Sequence, residues 1–155
     1  MPKEHPMHPY ITPEIVPEKL PRDSFFVFGS NLQGSHKGGA ARTARILYGA
    51  IQGVGVGLQG QSYAIPTMEG LETMKHYIDQ FITIAMIMSQ CKFYVTRIGC
   101  GIAGYKDEDI APLFSHAFGM KNIYLPESFV RVLEELKAKN YADEMATMKF
   151  GWTKK

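Results

Sequence analysis

The chain has 155 residues, 45% of them hydrophobic and 21% charged, and its 17 basic and 15 acidic residues leave a net charge of +2. That length suits one domain of roughly 100–150 residues with a terminal arm, and the near-neutral balance offers no charge argument for a nucleic-acid partner. Cys91 and Cys100 have no second pair, so neither a disulfide framework nor a zinc site is indicated and a reduced compartment is expected.

Six of the nine prolines fall within the first 21 residues. Proline fixes φ and drives the residue before it out of the α region, so residues 1–22 read as an extended arm. The arm has no apolar core of the kind a secretory signal needs. Ser24 to Phe28 is an aromatic and β-branched run stopped by Gly29, the pattern of a central strand buried on both faces. Gly39 to Ala50 holds four alanines with Arg42 and Arg45 among them, which predicts a helix closed near Gly49. Gly53-Val54-Gly55-Val56-Gly57 is too rich in glycine for a regular element and reads as a loop or short irregular strand.

Ser62 to Thr67 reads as a strand with Pro66 near its end. Leu71 to Ser89 places apolar residues at 71, 74, 78, 81, 82 and 85, a helical period. The Phe81–Met88 run within it is expected to be buried, its methionines filling core space. That run lies in an uncharged stretch of about a dozen residues, where a membrane span needs about 20. A soluble, cytoplasmic protein is expected. Lys92 to Ile98 is a further strand ending at Gly99. The acidic trio Asp107, Glu108 and Asp109 suits a helix start, with Asp107 as cap and the helix running to about Ala117 past an awkward Pro112. Asn122 to Leu125 is a last short strand, and Pro126 precedes a helix from about Glu127 to Lys139. Residues 140–155, with weak periodicity, read as a tail or a partner-binding segment. Strand and helix thus alternate four times, which argues for a three-layer α/β sandwich with a mixed, largely parallel sheet over residues 23–139.

Nine of the fifteen glycines lie between Gly29 and Gly60, and three more at Gly99, Gly101 and Gly104. Two glycine loops therefore follow buried-looking strands and feed helices: Gly29 to Gly39, and Gly99 to Tyr105. In such folds ligands collect beyond the carboxyl ends of the strands. Glycine lets backbone N–H groups approach a phosphate, and a helix N-terminus adds positive potential. Two such loops facing each other suit a diphosphate. Neither is a P-loop, since no Gly-Lys-Ser/Thr follows, and Gly99-x-Gly101-x-x-Gly104 comes too late in the chain for a dinucleotide fingerprint.

The candidate ligand-binding residues are Ser30, Asn31, Lys37, Gly38, Gly39, Gly99, Cys100, Gly101, Ile102, Ala103, Gly104 and Tyr105. Asn31 offers donors and an acceptor to a ligand, or an Asx-turn to its own loop. Lys37 could meet an anion or simply be solvated. His36 is chemically able to act as a general base, although an exposed loop position is its plainer reading. Asp107 is a second candidate base, set beside the second loop. Cys100, between two glycines, reads as a small buried side chain more readily than as a nucleophile. Arg97 could neutralise a phosphate or pair with an internal carboxylate, and Gln59 and Gln61 could bind a ligand or satisfy backbone groups. No metal or cofactor is indicated.

The segments FVFGSNLQGSHKGGAARTA, GVGVGLQGQSYAIPT and TRIGCGIAGYKDEDIAPLF resemble, in that order, successive segments of macrodomains. The last is similar to the terminal ADP-ribose glycohydrolase branch in its Arg-Ile-Gly-Cys-Gly run. The resemblance covers about residues 24–139 and leaves out the arm and the tail. It implies a pocket for ADP-ribose, with Asn31 at the distal ribose and Gly38 and Gly39 giving amides to one phosphate. Gly99 to Gly104 would wrap the diphosphate, and Tyr105 would border the distal ribose. The implied partner is an ADP-ribose-like small molecule or an ADP-ribosylated macromolecule. Two positions depart from the hydrolytic members. Gly38 stands where many carry an aspartate in the first loop, and Ala103 stands where the glycohydrolase branch has one. Arg42 and Arg45 occupy the helix that is lysine-rich in that branch. Binding is thus better supported than removal of ADP-ribose. A Rossmann-like nucleotide-processing domain, with strand one central in a 3-2-1-4-5 sheet, and an interaction module with a filled crevice are the other readings.

Overall fold

The computed structural model describes residues 8–14 and 16–150, the last two by their backbone alone. Residues 1–7 of the proposed arm and 151–155 of the proposed tail lie outside that range. Five strands form one sheet in the order β2-β3-β1-β4-β5, with β1 at Ser24–Ser30, β2 at Gly57–Gln59, β3 at Ser62–Pro66, β4 at Lys92–Val95 and β5 at Ile123–Tyr124. All pairings are parallel except that of β2 with β3, whose two-residue turn has Gly60 at φ +59°. Glycine allows that turn at no steric cost. Strand β1 is central, yet the strand outside β3 is this antiparallel hairpin partner. A parallel strand reached by a crossover, as a 3-2-1-4-5 sheet requires, is not what stands there.

Helices cover both faces. Helix α1 (Gly39–Leu47) packs Ala41 and Ala44 on Phe26, Phe28 and Ala64. On the other face α2 (Leu71–Ile87), a 3-10 helix at Ala111–Ala117 and the start of α4 (Glu127–Phe150) bury Met74, Phe81, Phe114 and Phe129 against Val27, Ile65, Phe93 and Val95. This second layer is the larger core. A sheet buried on both faces explains why β1 reads as an unbroken apolar run.

Several boundaries differ from the expected ones. Helix α2 buries Phe81, Ile82 and Ala85, but Met86 and Ile87 are 64% and 74% exposed. One face of that helix meets the sheet and the other meets solvent, so the apolar run is not wholly buried. The helix expected from Asp107 to Ala117 is a single α turn, α3 (Asp107–Ile110), followed by the 3-10 segment. Pro112 lacks the N–H that would continue the α ladder. Its N-cap is Lys106, whose N–H donates to Asp109 Oδ2 at 3.0 Å, so Asp109 closes that turn and Asp107 does not cap it. Helix α4 continues to Phe150, through most of the segment read as a tail. Ala142, Glu144, Met145, Ala146, Met148 and Lys149 are strong helix formers that favour this continuation.

The arm joins the sheet. Ile11 bridges Leu125 in parallel, Thr12 N–H donates to Leu125 O at 2.9 Å, and Thr12 Oγ1 donates to Val95 O at 2.7 Å. Tyr48 holds its next section by donating its hydroxyl to Pro17 O. His8 is fully buried, with Gly119 N–H donating to Nδ1 at 2.8 Å and Nε2 placed 2.9 Å from Ile123 O. A backbone N–H can only donate and a carbonyl can only accept, so these partners require a neutral ring with its proton on Nε2. Burial lowers the His8 pKa accordingly. No helix among the described residues is long and apolar enough to cross a membrane.

Candidate functional site

The connection after β1 leads through α1 to the β2–β3 hairpin on one side, and the connection after β3 crosses to β4 on the other. Strand β1 therefore lies at the switch point of the sheet, where a crevice opens beyond the strand ends. A cleft of about 550 Å³ is found there, within the roughly 300–1,000 Å³ of small-molecule sites. Its walls are Gly29–Asn31, Ser35 and Lys37–Ala41 from the first loop and α1, Thr67 and Met68 after β3, and Thr96–Gly99 with Gly101–Ala103 after β4. The crevice is open, which removes the main support for an interaction module with a filled pocket.

The first loop is held from several directions. Asn31 Oδ1 accepts from Ser35 N–H at 3.1 Å, an Asx-type closure, and Gly34 N–H donates to Asn31 O at 2.9 Å. Leu32 N–H donates to Glu69 Oε2, His36 N–H to Gln52 Oε1, and Gly53 N–H to Gly34 O. The glycine-rich block of residues 53–57 now has a physical role. It lies so close beneath this loop that a Cβ on Gly55 would sit 1.8 Å from Asn31 O, and one on Gly34 would sit 2.3 Å from Gly53 C. Gln59 is buried and fastens the same block, accepting from Ile51 N–H at 2.7 Å and donating to Val54 O at 2.9 Å. Gln61 donates to Pro21 O and Ser24 O. Both glutamines thus serve the backbone.

Nine of the twelve candidate ligand-binding residues line the cleft: Ser30, Asn31, Lys37, Gly38, Gly39, Gly99, Gly101, Ile102 and Ala103. Cys100, Gly104 and Tyr105 are not in its wall. Tyr105 packs on the larger core and its N–H donates to Gly99 O at 2.9 Å, while Gly104, at φ +80°, makes the turn that brings it there. The Cys100 thiol lies 3.7 Å from Asp107 Oδ1, and burial together with that carboxylate pushes its pKa up to about 11. A thiol so protonated at neutral pH is no nucleophile.

The candidate bases are placed elsewhere. Asp107 accepts two hydrogen bonds from Arg97, at 3.0 and 3.1 Å, and one from Ser128 Oγ at 3.0 Å. Although its partial burial pulls the other way, Arg97 and Ser128 hold the carboxyl below its ordinary pKa. That makes it a structural anion and a poor base. His36, expected to be exposed, is fully buried edge-on to Phe28 at 5.1 Å, with Nε2 3.0 Å from Ser30 Oγ. Burial lowers its pKa, and Arg45 nearby lowers it further. The Val54 backbone beside the ring pulls the other way, yet Nδ1 makes no hydrogen bond of ordinary geometry, alone in this among the buried side-chain nitrogens and oxygens of the described residues. Such an orphan costs about 1–3 kcal/mol. The loop places His36 under its own turn because Ser30 and Phe28, at the end of β1, are its neighbours.

Thr67, Met68 and Thr96 line the cleft but were not among the candidates, and Arg97, weighed as a phosphate or carboxylate partner, lines it too. Thr67 is buried, its N–H and Oγ1 both donating to Ser30 O. The signal that finds them is their position just past β3 and β4, which the strand-end rule makes available. Among the described residues lining the cleft there is no Asp, Glu or His, and two are cationic, Lys37 and Arg97. No group of three metal-ligating side chains occurs among the described residues. The first turn of α1 has no acidic residue and its N-cap, Gly38, makes no side-chain cap, so the N–H groups a helix leaves unbonded at its start stand in the cleft wall.

The lining glycines divide on packing grounds. Gly39 and Gly99 have positive φ, and a Cβ on Gly29 would sit 3.1 Å from Thr67 Cγ2. Gly38 and Gly101 need glycine for neither reason, since their φ is not positive and a Cβ would meet nothing within 4 Å. No family model, curated protein or solved structure matches the chain.

Proposed function

We propose that this is a macrodomain-like module that binds ADP-ribose or a related nucleotide diphosphate, free or carried by a macromolecule, in the cytoplasm. The observation that carries the reading is the pair Gly38 and Gly101. They stand in the walls of one cleft on two separate loops, and the fold itself does not require glycine at either. Bare backbone at such points serves close approach by a ligand. The unbonded N–H groups of the α1 start and Lys37, with no lining carboxylate, favour an anionic ligand, while Arg97 is already paired with Asp107.

Removal of ADP-ribose by an activated water finds less support, since no carboxylate lines the cleft and His36, buried behind Ser30, meets it only at that hydroxyl. Titration calorimetry with ADP-ribose, ADP and pyrophosphate tests the binding reading. Gly38→Glu and Gly101→Glu have room for their side chains, so they should fold as the parent does and weaken ADP-ribose binding at least about 10-fold, through about 1.4 kcal/mol or more of lost contact and added repulsion. No heat with any of the three ligands at millimolar concentration would sink it.

A further inference from the structure

We propose that Ser30 and His36 form a nucleophile–base pair, and that Ser30 Oγ attacks small carboxylic esters presented at the floor of the cleft. Three observations converge on it. Ser30 Oγ and His36 Nε2 are 3.0 Å apart, within the reach a base needs to take a hydroxyl proton. Ser30 belongs to the cleft wall at the end of the central strand, beside the start of α1. The His36 ring is wholly buried and set edge-on against Phe28, so its orientation is held by packing.

Packing alone does not account for the imidazole. An apolar side chain could fill the same space against Phe28 without leaving Nδ1 unpaired. A buried polar atom with no partner calls for an explanation, and a catalytic role is one of the recognised ones. Burial and Arg45 also favour the neutral ring, and with its proton on Nδ1 that ring offers Nε2 as the acceptor for the Ser30 hydroxyl, in competition with Asn31 O at 3.4 Å.

The chemistry balances as an acyl transfer. Ser30 Oγ forms a bond to the ester carbonyl carbon while its proton passes to His36 Nε2. The uncapped N–H groups at the start of α1, in the wall of the same cleft, are the donors available to the oxyanion. Collapse breaks the bond to the alcohol oxygen, which leaves with the proton from Nε2. Water then attacks the acyl-serine by the same relay and releases the carboxylic acid. The step needs only an ester carbonyl in the cleft, so it stands apart from the identity of the nucleotide.

A fluorophosphonate probe and p-nitrophenyl acetate test the pair on the intact protein. Peptide mass mapping should place the phosphonyl adduct on Ser30, and Ser30→Ala should lose it along with about 100-fold or more of the ester hydrolysis. His36→Gln, checked for folding by circular dichroism, should keep the serine and lose its reactivity. Should that variant fail to fold, the wild-type pH profile serves, with labelling slowing only in solution more acidic than the ordinary imidazole value of about 6.5, because burial delays protonation of the ring. An adduct absent from Ser30, hydrolysis unchanged in Ser30→Ala, or labelling indifferent to pH would overturn the proposal. ADP-ribose added during labelling separates the two readings. Protection supports both, and labelling that ADP-ribose leaves unchanged supports the serine while counting against the nucleotide.

Discussion

The close approach of Gly55 to the first loop gives the sharpest test of how this site is built. In Gly55→Ala the new Cβ would lie 1.8 Å from Asn31 O, 2.9 Å from Asn31 C and 3.1 Å from Gly34 N. Ordinary C···O approaches begin near about 3.3 Å, so the contact is short by about 1.5 Å. Both sides of it are backbone, and no rotamer change can relieve it. Separation must break the Gly34 N–H···Asn31 O bond at 2.9 Å and the Gly53 N–H···Gly34 O bond at 2.8 Å. Each contributes about 1 kcal/mol, and overpacking adds about 1–3 kcal/mol. The expected loss is about 3–5 kcal/mol, a large share of the roughly 5–15 kcal/mol that holds a domain together. Urea unfolding followed by far-ultraviolet circular dichroism measures it. Gly38→Ala is the control, because φ is −150° there and a Cβ meets nothing. It should change stability by no more than about 0.5–1 kcal/mol. If Gly55→Ala unfolds at the parent's urea midpoint, the packing of residues 53–57 under Asn31 is not as described.

Three further outcomes follow from the same structure. His8 and His36 both have lowered pKa values. Each favours the neutral ring in the fold, so its contribution is complete above the unfolded value of about 6.5 and is lost as the pH falls below it. The slope should reach up to about 1.4 kcal/mol per pH unit for each ring. Asp107, held low, adds its own loss only in more acidic solution, and a urea midpoint equal at pH 7.5 and 5.5 would contradict the assignment. Cys100, with its pKa at about 11, should stay largely unlabelled by iodoacetamide at pH 8, as read by peptide mass, and rapid labelling there would refute the Asp107 contact. Gln59→Ala should leave the half-buried Ile51 N–H and Val54 O without their partner and cost about 1–3 kcal/mol in urea unfolding.

Much of this site was legible in the chain. The stop of an apolar strand at Gly29, and the glycines after Lys92–Ile98, put two loops at the same edge of one sheet, and nine of the twelve named residues stand in the cleft. Those readings rest on local rules that a short window carries: strand burial, glycine after a strand, helix period. Cys100, Gly104 and Tyr105 stand outside the cleft wall because the second loop turns at Gly104 and faces part of itself to the core.

What the sequence by itself determined is four of the five strands and the helices between them, the layered α/β class and the concentration of backbone-rich loops at strand ends. Local propensity and hydrophobic period decide these, and they act over a few residues. Only the tertiary structure decided that Gly55 lies under Asn31, that Arg97 spends its charge on Asp107, and that His36 is buried against Ser30 and not exposed. It also decided that Gly38 and Gly101 are glycines the fold could do without. Each of these depends on a distance across the chain, and pairings between the ends of β1 and β4 are set by the whole sheet and not by any segment of it.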